Sequence, residues 1–174
     1  MSDLVIRAAR LEDADALNDI ANLPGFRHGT LRMPYQSVET IKQRLGNHDP
    51  NRHFLVALKG EVLVGQGALF RRHGRESHSG FIILGVHDNY RRQGIGQALL
   101  AALIDIADNW IGLTRLDLTV NVDNKPAIKL YERNGFEHEG RQRAATLRAG
   151  KLVDALMMAR LRQPPTIDGS DPAA

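Results

Sequence analysis

Between residues 77 and 110 a β-rich run passes without a linker into a basic glycine turn and then into a long helix with one apolar face. Ser77 to Val86 reads as a strand, and Arg91-Arg-Gln-Gly-Ile-Gly96 as the turn. Ile95, Ala98, Leu99, Ala102, Leu103, Ile106 and Trp110 then recur at the spacing of a single helical face. Such a segment needs a sheet for the helix to pack on, so the chain is expected to form an α/β (α+β) domain. The flanking sequence agrees. Residues 4–9 read as a strand, and Leu11-Glu-Asp-Ala-Asp-Ala-Leu17 opens a helix with acids in its first turn, its buried face marked by Leu17, Ile20 and Ala21 and its end by Pro24-Gly25. An irregular connection from Gly29 to Tyr35 leads to a helix over residues 37–45, with Ser37 as its cap. Residues 54–58 and 62–70 read as a hairpin. Leu116, Leu118 and Val120 alternate with polar residues in a further strand, and Asn124 caps a helix that has Pro126 in its first turn and ends at Asn134-Gly135. Two strands around Gly150 finish the pattern, the second with Val153, Ala155, Met157, Ala159 and Leu161 assigned to one face.

A length of 174 residues suits one core and is cramped for two. The domain is expected to span residues 1–162. Residues 163–174 hold three prolines and no apolar periodicity, and read as a disordered tail. With no cysteine, disulfides, thiolate metal sites and a cysteine nucleophile are excluded. No tight His or carboxylate ligand pair supports a metal site. The N-terminus lacks the basic start and apolar core of a secretory signal, and no run approaches the ~20 apolar residues of a membrane helix. A cytoplasmic protein without membrane contact is the expectation. The net charge of +3 suits a small phosphorylated ligand, whereas 5% aromatic residues is little for a nucleic-acid stacking platform.

The basic turn carries the chemistry. A helix starting at Gly94 to Gly96 presents amides with no intrahelical partner and a partial positive charge, the two glycines permit close approach of a pyrophosphate, and Arg91 and Arg92 add cationic donors. The three-glycine dinucleotide fingerprint and the Gly-Lys-Ser/Thr nucleotide loop are both absent. Arg91-Arg-Gln-Gly94-Ile-Gly96 resembles the acetyl-CoA pyrophosphate loop of the GNAT superfamily of N-acetyltransferases, Arg/Gln-x-x-Gly-x-Gly/Ala. Thr119-Val-Asn-Val-Asp-Asn-Lys-Pro-Ala-Ile-Lys-Leu-Tyr-Glu-Arg-Asn-Gly-Phe136 resembles the family's later strand, helix and Asn-Gly-Phe ending. The likeness runs from about residue 4 to 161, and Asn109-Trp110, Thr30-Leu31 with Pro34, and Val153-Asp154-Ala155 with Met158-Ala159-Arg160 are similar to bacterial L-amino acid N-acetyltransferases.

The resemblance implies a single GNAT-like domain, a mixed sheet of six to seven strands with about four helices. It implies direct acetyl transfer from acetyl-CoA to a primary amine, the α-amino group of a small L-amino acid, in an enzyme that forms a homodimer. Other acceptors in the same class are a polyamine, an antibiotic, an amino acid analogue or a protein N-terminus; a CoA-sensing module without turnover is the alternative outside it. Backbone groups of Leu84 and Val86 would meet the pantetheine arm, and Arg91, Arg92, Gln93, Gly94, Ile95, Gly96 and Gln97 the pyrophosphate. Asn124 would reach the cofactor or simply cap its helix. Tyr131 falls on the family's catalytic tyrosine, which protonates the departing thiolate; read from periodicity alone, it is an aromatic on a buried helical face. Many members carry an acid on the strand before the loop, yet Ser79 to Val86 holds no ionisable side chain. Counting back by twos from Val86 reaches His78, the candidate base, with Glu76 second. Arg32, Tyr35, Arg141, Arg143 and Arg148 lie in segments that flank the family's acceptor side.

Overall fold

The structure is a computed structural model and describes residues 4–163. The expected tail, 163–174, lies outside it from residue 164 onward. Seven strands, β1 (Leu4–Ala8), β2 (Arg52–Lys59), β3 (Val62–Arg71), β4 (Ser79–Val86), β5 (Arg115–Asn121), β6 (Glu137–Arg148) and β7 (Lys151–Leu161), form one sheet in the order β1-β2-β3-β4-β5-β7-β6. Five helices pack around it: α1 (Ala14–Asn22), α2 (Pro24–Gly29), α3 (Val38–Gly46), α4 (Ile95–Asp105) and α5 (Lys125–Arg133). None is long and apolar enough to cross a membrane.

Strand alternation feeds two cores. Leu55 and Ala57 of β2 join Leu69, Ile82, Leu116, Leu118 and Met158 beneath α4 and α5, where Leu99, Leu103, Ile128 and Phe136 complete the larger cluster. Val56 points the other way, into a smaller cluster with Leu17, Ile20, Phe26 and Ile41 of α1 to α3. Helix α4 lies close on β3 because Gly65 and Gly67 have no side chain: a Cβ at either would come within 3.0 Å of Ile95, Leu99 or Leu103.

One junction of the sheet is incomplete. Strands β4 and β5 run parallel and pair only at Ser79–Arg115, Gly80–Leu116 and Phe81–Asp117. Beyond Phe81, β4 stays with β3 as far as Val86, and β5 stays with β7 as far as Asn121. The sheet therefore opens into a gap at the C-terminal ends of its two central parallel strands.

Three expectations need correction. Pro24-Gly25 does not merely end α1; Pro24 opens the separate helix α2, because a proline lacks only an N–H that the first helical position leaves unpaired anyway. The stripe of α4 stops short of Trp110: the chain widens into a π-turn over Ile106–Ile111, which rotates Trp110 off the apolar face, 80% exposed, with its indole N–H donating to Asp105 at 3.2 Å. In β7, Met158 is fully buried while Met157 and Leu161 are open. Five consecutive apolar residues, Ala155 to Ala159, satisfy either parity, so alternation could not choose the face. Two smaller differences concern ends: β4 starts at Ser79, and the Ser37 hydroxyl faces that of Thr40 at 3.3 Å instead of capping a backbone amide.

Candidate active site

The loop and the gap meet. From β4 the chain turns through Asp88–Tyr90 into the exposed residues Arg91 to Gly94, and α4 begins. The first bond of α4 runs from the Ala98 N–H to the Gly94 carbonyl at 3.0 Å, so the amides of Ile95, Gly96 and Gln97 have no acceptor within the helix. Gly94 sits at φ +80°, in the left-handed region, and a Cβ there would meet nothing within 4 Å, so the front of the turn is open. The loop's side chains are held to the sides. Arg91 donates to Asp88 at 2.7 Å, Lys59 donates to Gln93 at 2.9 Å, and the Gln97 and Asn134 amides pair reciprocally at 2.9 and 3.0 Å. Arg91 thus gives part of its charge to a protein carboxylate, whereas Arg92 stays exposed.

The edge of β4 facing the gap carries unpaired backbone. At one end of the strand the Ser79 carbonyl accepts from Arg72 at 3.0 Å, and just past the other the His87 N–H donates to Val64 of β3 at 2.9 Å. Odd-numbered residues therefore bond to β3, and even-numbered ones face β5, as the His78 carbonyl does in accepting from Thr114 at 2.9 Å. Leu84 and Val86 turn their amides and carbonyls into the gap, where β5 has already diverged. Their side chains pack against the larger core together with Leu130, near the start of α4: a Cβ on Gly96 would lie 3.4 Å from Leu130, 3.7 Å from Val86 and 3.8 Å from Leu84.

Tyr131 belongs to that cluster, 7% exposed, its ring edge-on to Phe136 with centroids 5.8 Å apart. Burial pushes its phenol up to about 12, so it keeps its proton at neutral pH. The enclosed side-chain polar atoms without a partner among the described residues are Arg27 Nε and Gln36 Oε1. The unbonded Tyr131 hydroxyl is not one of them and retains an opening. Asn124 caps α5, its carbonyl oxygen accepting from Ala127 at 3.4 Å. Its Nδ2 points toward Gly29, where a Cβ would lie 3.3 Å away.

Residues 15–136 match the acetyltransferase (GNAT) family. The chain belongs to that family. It is 34% identical to the L-amino acid N-acetyltransferase AaaT of Escherichia coli (strain K12) over 162 residues, 93% of this chain and 100% of that protein. Among solved structures it resembles a ribosomal-protein-alanine N-acetyltransferase from Brucella melitensis, at 29% identity and TM-score 0.80 over 91% of this chain and 99% of that one. The fold is shared with the spermidine N-acetyltransferase of Vibrio cholerae solved with CoA and spermine, at 22% identity and TM-score 0.82 over 91% and 95% of the two chains. The protein is a GNAT N-acetyltransferase that uses acetyl-CoA. Open amides at the start of α4 and unpaired backbone along β4 fit a long ligand with an anionic end and an amide-bearing arm. No group of three His, Asp or Glu side chains able to hold a metal occurs among the described residues.

The structure does not bring His78 to this GNAT cleft. It lies exposed in the turn before β4, and the eight-residue strand, at 3.3 Å per residue, puts it roughly 25 Å from the loop. Glu76 lies in the same distant turn. Counting by twos identified a shared face but carries no information about which end of that face holds the site.

The opposite side of the gap is roofed by α2. The Phe26 ring lies where a Gly85 Cβ would be, 2.3 Å from that position, and the Gly25 N–H donates to Asp88 at 2.8 Å. The His28 carbonyl accepts from Asn121 of β5 at 3.5 Å and from Arg148 of β6 at 3.1 Å. Asp123, just past β5, is ion-paired with Arg148 and lies 3.7 Å from His28 Nε2. The Arg148 guanidinium holds the Asp123 carboxyl below the usual carboxylate range. His28, Asn121 and Asp123 were missed from sequence. Of the candidate arginines, Arg148 reaches the gap, whereas Arg141 pairs with Asp154 at 2.7 Å. Arg32 sits half-buried near Arg44, its guanidinium pushed down to about 10 chiefly by burial.

Proposed function

We propose that the enzyme acetylates the α-amino group of a small L-amino acid. Its likeness to AaaT over the whole length of that protein carries the reading. In this reading the amides of Gly94 to Gln97, with Arg91, Arg92 and Gln93 around them, hold the pyrophosphate. Leu84 and Val86 bond the pantetheine arm through their backbone, and the Asn124 Nδ2 lies beside it. Acetyl-CoA, when bound, supplies a thioester carbonyl open to direct attack by an amine, with no covalent enzyme intermediate. Tyr131 faces the departing sulfur. A phenol near 12 is a weaker acid than a thiol near 8.5, so its contribution is a hydrogen bond to the charge that develops on sulfur.

His78 has no place in this reading. His28, Asp123 and Arg148 meet at the gap, and Asp123, kept ionised by Arg148, is suited to meet the acceptor's ammonium. The α-ammonium of a free amino acid, beside its own carboxylate, holds its proton more tightly than a peptide N-terminus near 8, so it arrives mostly charged at neutral pH and must give up a proton to water or to a group at the gap before it attacks. The same reading carries a cytoplasmic enzyme whose domain spans residues 1–162. It also carries a homodimer, with the exposed cross-strand pair Leu147 and Leu152 at the β6–β7 tip as one apolar contact.

The test is acetyl-CoA-dependent release of CoA against L-amino acids, polyamines and peptides with a free N-terminus. Turnover confined to L-amino acids is the expected result. Preference for spermidine or for a peptide would overturn the acceptor while leaving the acetyltransferase intact.

A further inference from the structure

An acceptor that arrives as an ammonium has to shed a proton before it attacks, and one imidazole at the roof of the gap is placed to take it. The C-terminal end of α2 is fixed there through its backbone. The His28 carbonyl accepts from Asn121 of β5 at 3.5 Å and from Arg148 of β6 at 3.1 Å, and the Thr30 hydroxyl donates to the Phe26 carbonyl at 2.8 Å. The Phe26 ring fills the space over Gly85, and a Cβ on Gly29 would come 3.3 Å from the Asn124 amide nitrogen. These contacts leave the His28 ring itself exposed, beside Asp123.

The spacing between the two side chains defines what fits them. His28 Nε2 stands 3.7 Å from the nearer Asp123 oxygen, too far for a hydrogen bond between them, yet a single ammonium nitrogen placed against both is within reach of each. A carboxylate accepts there, and so does Nε2 of a neutral imidazole whose proton is on Nδ1. The two acceptors differ in kind. Arg148, ion-paired with Asp123, keeps that carboxylate charged, so Asp123 holds an ammonium without taking its proton. An imidazole both takes and returns a proton near neutral pH. The other polar groups around α2 are differently engaged. Asp88 accepts from the Gly25 N–H and from Arg91, and His87 accepts the Asn89 N–H on Nδ1 at 3.1 Å. Arg27, which precedes His28, has no lone pair to offer, and β4 brings the uncharged Gly85 against α2.

We propose that His28 is the proton acceptor of the transfer reaction, its Nε2 sharing the acceptor's ammonium with Asp123. The inference rests on the reading above that the acceptor meets Asp123 at the gap. One ammonium N–H bond breaks, the proton passes to Nε2, and the nitrogen keeps the electron pair. That pair forms the C–N bond at the thioester carbonyl as the C–S bond breaks, and sulfur leaves with its bonding electrons. The nitrogen then releases a second proton, which is matched by the proton that the CoA thiolate takes from solvent. The exposed imidazolium returns the first to water, so the products are the amide, the CoA thiol and one proton in solution.

The test is the pH profile of kcat/KM for the acceptor, from pH 5 to pH 10 at saturating acetyl-CoA, for the parent, His28→Gln and Asp123→Asn. L-methionine, L-phenylalanine, spermidine and a short peptide with a free N-terminus serve as acceptors. The parent should fall toward acid with a break in the neutral range, where imidazolium replaces imidazole. His28→Gln keeps a polar side chain that takes no proton. Its kcat/KM should be about a hundredfold lower near pH 7, through kcat as well as KM, and should climb toward the parent's by pH 10, where the amine sheds its proton unaided. Asp123→Asn should lose through KM and keep the break. Calorimetric CoA binding and Tm of His28→Gln should match the parent's, because α2 is anchored through the His28 carbonyl and not through its ring. A neutral break that persists in His28→Gln, or a loss of equal size at every pH, would overturn the proposal and leave the acceptor reading standing. Turnover of spermidine or the peptide in place of the amino acids would overturn the acceptor reading, and the profile on that amine would still score His28.

Discussion

The two sides of the β4–β5 gap are made of different material. On the α4 and α5 side, the groups available to a ligand are mostly backbone: the amides at the start of α4 and the even-numbered peptide groups of β4. On the α2 side they are side chains from three distant parts of the chain, His28, Asp123 and Arg148, partly exposed and joined by ion pairs. Backbone donors are placed by the fold itself and tolerate exchange of most side chains around them. Side-chain donors carried on a short helix, a turn and a hairpin can be exchanged without disturbing the sheet. A family that keeps one donor and changes its acceptor is expected to divide its site in this manner.

The division predicts how variants separate. Tyr131→Phe is the largest break: kcat should fall about a hundredfold, within the range of lost acid–base and hydrogen-bond catalysis, with CoA affinity and Tm nearly unchanged. The hydroxyl has no protein partner to orphan, so a drop in CoA affinity matching the drop in kcat would show that Tyr131 is a packing residue. On the other side, His28→Gln and Asp123→Asn should each raise KM for the acceptor about tenfold and leave calorimetric CoA binding as it was. An acceptor KM unmoved by both would remove α2 from the acceptor site. The pH dependence adds a sign. The carboxyl of Asp123 is depressed in the folded protein, so its pairing with Arg148 is complete above the usual carboxylate value near 4 and is lost as pH falls through the lower folded value. Acceptor KM should therefore show no Asp123-dependent rise between pH 8 and pH 5.

The same division explains what could be read beforehand. The loop proposed to take the anion was legible as a helix start because its pattern is local: two glycines, a helix start and the cations lie within six residues, from Arg91 to Gly96. The sheet and four of the helices were legible from periodicity, and Asn124 from its capping position. The roof was not. Nothing near Pro24 to Gly29 indicates that Phe26 will fill the space over Gly85, 59 residues away in sequence, or that His28 will face Asp123. His78 failed for a related reason: alternation gives the face of a strand, and only the register with β5 reveals which end opens. Trp110 was misplaced because a π-turn shifts every later residue around the helix, and the apolar pattern up to Ile106 carries no sign of it.

One chain of contacts crosses from one side to the other and yields the smallest and most discriminating effect. Arg91 of the anion loop donates to one carboxylate oxygen of Asp88 at 2.7 Å, and the other oxygen accepts the Gly25 N–H of α2 at 2.8 Å. Arg92, its neighbour, stays exposed. Removing Arg92 should weaken CoA binding about two- to threefold, with the difference fading as salt rises, as expected of an exposed charge near a phosphate. Removing Arg91 should have a similar or smaller effect on CoA, since part of its charge is already engaged by Asp88. It should also raise the acceptor KM, because Asp88 is freed to swing and the start of α2 loses its anchor. Arg91→Ala and Arg92→Ala behaving alike on both substrates would show that the two sides of the gap are mechanically independent. A change in acceptor KM confined to Arg91→Ala would show that the loop holding the donor also helps to position the helix over the acceptor.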